Sequence, residues 1–69
     1  MESINRIKGA LGDAHKTNRW LADQLGKDQT TVSKWCSNKS QPSLETLMRI
    51  AKCLNIDVRE LLVSNNKQP

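Results

Sequence analysis

Apolar residues recur along this chain at the spacing of helices, and no stretch alternates apolar and polar residues over the length of a strand. The clearest helical stretch runs from residue 44 to residue 54. Its apolar positions are Leu44, Leu47, Met48, Ala51 and Leu54, with Ile50 beside them. Aromatic residues are scarce, with two Trp and neither Phe nor Tyr. The pattern predicts an all-α fold, and 69 residues leave room for one domain only.

Capping and helix-breaking residues divide the first half of the chain into three predicted helices. Ser3 is the predicted N-cap of the first helix, which ends between residues 13 and 16. The apolar side of that helix is formed by Ile4, Ile7 and Leu11. Thr17 is the predicted N-cap of the second helix, residues 18–25, and Gly26 ends it.

The second half of the chain predicts two more helices. Ser43 is the predicted N-cap of the fourth, which ends at Asn55. Asp57 and Glu60 have the spacing of a capping box and begin a short fifth helix, which ends near Val63. The expected architecture is therefore a compact domain of five helices over residues 3–63, followed by a polar tail at residues 64–69.

The third predicted helix begins at the cap Asp28 and runs to about residue 37, only a short break after the second helix. Such a break forces two helices to meet at a steep angle, as in a helix-turn-helix. The apolar residues of the third helix fall on one side and are Val32, Trp35 and Cys36. The opposite side holds the polar residues Gln29, Thr30, Ser33 and Lys34. A helix of this kind fits the major groove of B-DNA, which is about 12 Å wide.

The polar residues of this third helix are the predicted base contacts: Gln29, Thr30, Ser33 and Lys34. A solvated helix face is the alternative interpretation. Predicted phosphate contacts lie at the start of the second helix, where backbone N–H groups and the helix dipole attract anions, and in the loop after the third. They are Lys16, Asn18, Arg19, Lys39, Ser40 and Gln41. A net charge of +4 agrees with a polyanionic partner.

Residues 17–62 contain an ordered set of short motifs: Leu21-Ala22, Leu25-Gly26, Thr31-Val32-Ser33, Pro42-Ser43-Leu44 and Leu61-Leu62. In this order and at these spacings, they resemble the phage repressor/Cro family, also called the XRE family. The resemblance implies a lambda-repressor-like domain of five helices that binds a two-fold symmetric DNA operator as a homodimer and regulates transcription, as a repressor in particular. It also implies a phosphate contact at Thr31 and a dimer interface that includes Val58, Arg59 and Leu62.

Four positions depart from the family's pattern. Leu11 and Cys36 stand where many members have a buried Arg–Glu pair, which predicts an apolar contact in its place. The resemblance implies that the third helix is the recognition helix. Asn38 replaces the usual Gly after it, and Asn tolerates the same left-handed turn. Trp20 stands where a charged residue is common, and partial burial is its expected state.

Other function classes find less support in the sequence. Cys36 and Cys53 lack the spacing of a zinc site and are expected to be reduced and buried, although a disulfide stays possible. We expect no enzyme activity, metal, cofactor or small-molecule ligand. The chain has no signal peptide and no long apolar run, which predicts a cytoplasmic protein without a membrane partner. An antitoxin of a toxin–antitoxin pair is the alternative function, and an RNA-binding module ranks below it.

Overall fold

The computed structural model describes residues 3–64, which form four α-helices and one short 3-10 helix. The α-helices are α1 (Ile7–Asp13), α2 (Asn18–Leu25), α3 (Gln29–Cys36) and α4 (Leu44–Leu54), and the 3-10 helix is Val58–Leu61. The all-α prediction is confirmed for this part of the chain. The count of five α-helices is wrong, because the last segment is a four-residue 3-10 turn after which the backbone becomes extended at Leu62.

The start of α1 is the second correction. Ser3 is not its N-cap, and the helix begins only at Ile7, after Arg6 in the capping position. Ile4 is 57% exposed instead of lying on the buried side. The physical reason is that this segment pairs with the end of the domain: the Arg6 N–H donates to the Leu61 carbonyl at 2.8 Å, and the Val63 N–H donates to the Ile4 carbonyl at 3.0 Å.

The ends of α2 and α4 are as predicted. The Thr17 hydroxyl accepts a hydrogen bond from the Trp20 N–H at 3.0 Å, and the Ser43 hydroxyl accepts one from the Thr46 N–H at 3.1 Å. Gly26 and Asn55 end these helices in the left-handed conformation, with φ of 65° and 58°. The local capping interactions therefore determine where both helices begin and end.

The core receives one fully buried side chain from each of the five elements. These residues have 0% exposure and are Ile7, Leu21, Val32, Ile50 and Leu61. Trp35 joins them at 6% exposure, so its predicted core position is confirmed. In α4 only part of the apolar pattern turns inward, because Leu44 and Met48 lie at the edge of the stripe and are 73% and 53% exposed.

The described residues contain no helix long and apolar enough to cross a membrane. Of the predicted polar tail, only Ser64 lies within the described residues.

Candidate nucleic-acid interface

The helix-turn-helix consists of α2 and α3 with residues 26–28 between them. The left-handed Gly26 reverses the chain, and the Lys27 N–H donates to the Ala22 carbonyl at 2.9 Å, which closes the end of α2. Asp28 occupies the N-cap of α3 as predicted, but its side chain makes no capping hydrogen bond. The two helices are held against each other by the buried side chains of Leu21, Leu25 and Val32. The two helices therefore pack as one unit, and the side of α3 away from the core is exposed.

The four predicted base-contact residues of α3 are all exposed: Gln29, Thr30, Ser33 and Lys34. Three of them line an open concavity of about 380 Å³, together with Ser37 and Lys39. Gln29 stands at the first residue of the helix, outside that lining. The sequence pattern thus brings hydroxyl, amide and ammonium groups to one outward face, and the concavity joins this face to the loop after α3.

The start of α2 carries three of the predicted phosphate contacts. Lys16 and Arg19 are exposed, and Asn18 is half-buried. The Lys16 ammonium lies 5.0 Å from the centre of the Trp20 ring, in a cation–π contact. Trp20 is half-buried against the core, which confirms its expected state. This contact favours a position of the Lys16 charge beside the N-terminus of α2.

The Cys36 thiol donates a hydrogen bond to the Asn18 side-chain oxygen at 3.2 Å. The sequence predicted an apolar contact at Cys36, and this hydrogen bond to α2 was missed. The two residues that replace the family's buried Arg–Glu pair differ in burial. Leu11 is 2% exposed, whereas Cys36 is only half-buried. Burial raises the pKa of the Cys36 thiol, and the nearby Lys8 ammonium partly offsets that rise. The thiol is therefore protonated at neutral pH and available as a donor.

Lys8 is a residue of this surface that the sequence analysis did not single out. It lines a concavity of about 200 Å³ together with Asn18, Ser33, Cys36 and Ser37. One signal was available: Lys8 precedes Leu11 by three residues, so both project from neighbouring positions of α1. The Leu11 and Cys36 departure already indicated that this side of α1 meets α3.

The loop after α3 places Lys39 and Ser40 at the surface. Their backbone N–H groups donate to the Lys34 carbonyl at 2.9 and 3.4 Å, which holds them next to the end of α3. The Gln41 side chain is engaged within the protein: its oxygen accepts from Asn5 Nδ2 at 2.7 Å, and its nitrogen donates to Asn38 Oδ1 at 3.2 Å. Thr31, on α3, is half-buried.

The predicted dimer residues have three different environments. Val58 is half-buried and packs against the core. Arg59 is exposed, and its guanidinium forms two hydrogen bonds with the Asp57 carboxylate, at 3.0 and 3.1 Å. That contact lowers the pKa of Asp57. Leu62 is 43% exposed beside Val63, which is 41% exposed, so the end of the described chain carries exposed apolar surface.

Cys36 and Cys53 are free thiols and are half-buried rather than fully buried. Within residues 3–64, no group of three or more His, Cys, Asp or Glu side chains is placed to hold a metal ion.

These features define a helix-turn-helix domain with a polar, outward-facing second helix. The model of the helix-turn-helix family matches residues 11–61, and the chain belongs to this family, in its phage repressor/Cro or XRE type. It is similar to the HTH-type transcriptional activator BcrR of Enterococcus faecalis, with 41% identity over 62 residues, which are 90% of this chain and 30% of that protein. It is also similar to the cryptic phage CTXphi transcriptional repressor RstR of Vibrio cholerae serotype O1, with 31% identity over 61 residues, which are 88% of this chain and 54% of that protein.

The chain thus spans less than two thirds of the length of either relative. Among solved structures, it is similar to a crystal structure from Bacteroides fragilis that is described as a candidate DNA-binding protein. That structure has a TM-score of 0.86 and 55% identity, over 87% of this chain and 97% of that one. The fold of the described residues is therefore shared nearly end to end with that protein.

Proposed function

We propose that this protein is a transcriptional regulator that binds double-stranded DNA in a sequence-specific way, with α3 in the major groove. The observation that supports this most directly is the exposed polar face of α3, whose opposite side is fixed in the core by Val32 and Trp35. A helix anchored in this way presents its polar residues from a backbone of fixed position. Such preorganisation favours recognition over mere solvation. We assign a binding function and no enzyme activity.

The base contacts proposed are the exposed residues Gln29, Thr30, Ser33 and Lys34. A Gln side chain can bind adenine with two hydrogen bonds, a Thr side chain can contact a base edge or the methyl group of thymine, and a Lys side chain can donate to guanine. Gln29 and Thr30 lie in the first turn of α3, the part of a recognition helix that enters the groove most deeply. Ser33 and Lys34 follow one turn later.

The phosphate contacts proposed flank this face on both sides. Lys16, Asn18 and Arg19 stand at the start of α2, and Lys39 and Ser40 stand in the loop after α3. Thr31 and Gln41 complete the set of proposed phosphate contacts. Because both ends of the Gln41 amide are engaged with Asn5 and Asn38, its main contribution is to hold the loop in place. Contacts of this kind fix the orientation of the protein on DNA and supply affinity without sequence preference.

The two curated relatives act in opposite directions, since one is named an activator and the other a repressor. We propose repression for this protein. Occupying a promoter is enough to block transcription, whereas activation needs a further surface that recruits the transcription machinery. A cytoplasmic location follows from the proposed function, because an operator must be accessible.

We further propose that the protein binds a two-fold symmetric operator as a homodimer, through a patch that contains Val58, Arg59 and Leu62. Leu62 supplies exposed apolar surface, and Arg59 supplies a polar rim. The patch is small compared with stable interfaces, which bury about 800 Å² on each partner. The dimer is therefore expected to form mainly on DNA. Sedimentation with and without the operator tests this, and a monomer in both samples would contradict it.

The experiment that tests the proposed function is selection from a pool of random DNA duplexes, followed by fluorescence anisotropy on the duplex that emerges. We expect nanomolar affinity, and a preference over random duplex of at least about tenfold at physiological salt. The logarithm of affinity should fall linearly with the logarithm of the salt concentration. Equal affinity for selected and random duplexes would reject sequence-specific recognition.

A further inference from the structure

We propose that Lys8 and Asn18 together bind one phosphate of the DNA backbone, and that Cys36 is the positioning residue that orients the Asn18 amide toward it. This inference rests on the proposed function. It adds a contact from α1 to those of α2 and α3, and it gives the thiol a role in binding.

The first observation is a concavity of about 200 Å³ where α1, α2 and α3 meet, lined by Lys8, Asn18, Ser33, Cys36 and Ser37. The lining consists of one cation, polar side chains and a thiol, and it includes no carboxylate. Since a water molecule occupies about 30 Å³ in the liquid, the space admits a phosphate group with some of its water. Ser33 also lines the neighbouring concavity with Thr30 and Lys34, so the two lie side by side along α3.

The second observation is the orientation of the Asn18 amide. An Asn side chain has an accepting oxygen and a donating nitrogen, and only the nitrogen can bind a phosphate oxygen. The Cys36 thiol donates to the Asn18 oxygen at 3.2 Å and so occupies the acceptor from within the protein. The Nδ2 group, in contrast, makes no hydrogen bond with a described residue and is left to donate to a ligand. A thiol is a weak donor, and its hydrogen bond favours the orientation in which the Asn18 oxygen faces Cys36.

The third observation is the charge of Lys8. Its ammonium lies close enough to the Cys36 thiol to act on it electrostatically, so the charge belongs to this concavity. Asn18 is also the first residue of α2, where backbone N–H groups have no partner within the helix. The Thr17 hydroxyl engages only the Trp20 N–H of that first turn. A cation and an oriented amide thus line one concavity, and the amide belongs to the first residue of α2. This is the donor set of a phosphate site.

The test uses anisotropy with the selected duplex, under reducing conditions, over a series of salt concentrations. Lys8→Gln removes the charge, and Lys52→Gln is the matched control, because Lys52 is exposed in the last turn of α4 and lines neither concavity. We expect Lys8→Gln to reduce the salt slope by about 0.9 units, the value for one lost phosphate contact. Lys52→Gln should leave the slope unchanged. Equal slopes in the two variants would overturn the assignment of Lys8.

The role of Cys36 is tested by a double-mutant cycle with Asn18. Cys36→Ala should weaken operator binding about three- to tenfold, as expected for one hydrogen bond, whereas Cys36→Ser, which keeps a donor, should bind like the wild type. In the Asn18→Ala background, Cys36→Ala should have no further effect. Thermal unfolding of each variant shows whether it is folded. A Cys36→Ala loss that is the same with and without Asn18 would overturn the positioning role.

These outcomes are distinct from a failure of the proposed function. If the wild type prefers no duplex, the proposed function and this inference both fail. If the wild type binds its selected duplex while the Lys8 and Cys36 variants behave as their controls, only this inference fails.

Discussion

The Asn38 side chain holds the backbone of Asn5, a residue 33 positions earlier in the chain. Asn38 Oδ1 accepts a hydrogen bond from the Asn5 N–H at 2.9 Å, and Asn38 Nδ2 donates to the Asn5 carbonyl at 3.3 Å. The same oxygen accepts from the Ile4 N–H at 2.8 Å. Asn38 also has a φ of 61°, so one residue both makes the left-handed turn after α3 and holds the backbone of Ile4 and Asn5 beside it.

This double role predicts an unusual effect of glycine at position 38. Gly prefers φ near +60° more than Asn does, yet it has no side chain to hold Ile4 and Asn5. We expect Asn38→Gly to lower the free energy of unfolding by about 1–2 kcal/mol, since the lost hydrogen bonds outweigh the relief of backbone strain. Urea unfolding measures this change.

Asn55 provides the matched control, because its φ is 58° at the end of α4 and its side chain makes no hydrogen bond with any described residue. Asn55→Gly should be neutral or slightly stabilising, by up to about 0.5 kcal/mol. If both glycine variants changed stability equally, the side chain of Asn38 would have no special role.

The same pair of residues shows what sequence could and could not predict. The bounds of α2 and α4 were predictable because Thr17, Gly26, Ser43 and Asn55 act on neighbouring backbone groups. The non-helical backbone at residues 4–6 was not, since it depends on hydrogen bonds to residues more than thirty positions away. A capping residue such as Ser3 has no influence once that pairing is formed.

The candidate site divides in the same way. The outward face of α3 followed from helical periodicity, because Val32 and Trp35 fix which side is buried. The Cys36–Asn18 hydrogen bond and the position of Lys8 depend on how α1 packs against α2 and α3. Periodicity describes one helix at a time and gives no information on that packing.

The variant Gln29→Ala tests whether this side chain contacts a DNA base. Gln29→Ala should relax sequence preference at one base pair of the operator and cost about 1–3 kcal/mol against the selected duplex, because two hydrogen bonds to one base are lost. Binding to random duplex should change little. The measurement is a comparison of affinities for the selected duplex and for duplexes altered at each position. A uniform loss over all duplexes would assign Gln29 to the phosphate backbone instead.

The variant Lys39→Ala tests whether the loop after α3 contacts a DNA phosphate. Lys39→Ala should weaken binding evenly across duplex sequences and make the salt slope shallower by about one unit, because one fewer counterion is released. Anisotropy titrations at several salt concentrations give the slope. Lys52→Ala serves as the control for a lysine lost elsewhere on the surface. A change in sequence preference in the Lys39 variant would place this residue at a base.

Ionisation of the Cys36 thiol should lower both the stability of the protein and its affinity for DNA at alkaline pH. Burial raises its pKa, with Lys8 opposing, so the folded state disfavours the thiolate relative to the unfolded chain. Stability is then unaffected below the unfolded-state pKa of about 8.5, and it falls as the pH rises through the higher folded-state pKa. Urea unfolding between pH 7 and pH 10 should show a steeper decline for the wild type than for Cys36→Ser, which does not ionise in this range.

Operator binding should follow the same pH dependence, because a thiolate cannot donate to the Asn18 oxygen and repels the phosphate. The ratio of wild-type to Cys36→Ser affinity is the useful quantity, since the titration of lysines at high pH affects both proteins alike. We expect this ratio to be constant at neutral pH and to fall once the thiolate forms. Parallel affinity curves up to pH 10 would show that the hydrogen bond between Cys36 and Asn18 is not coupled to DNA binding.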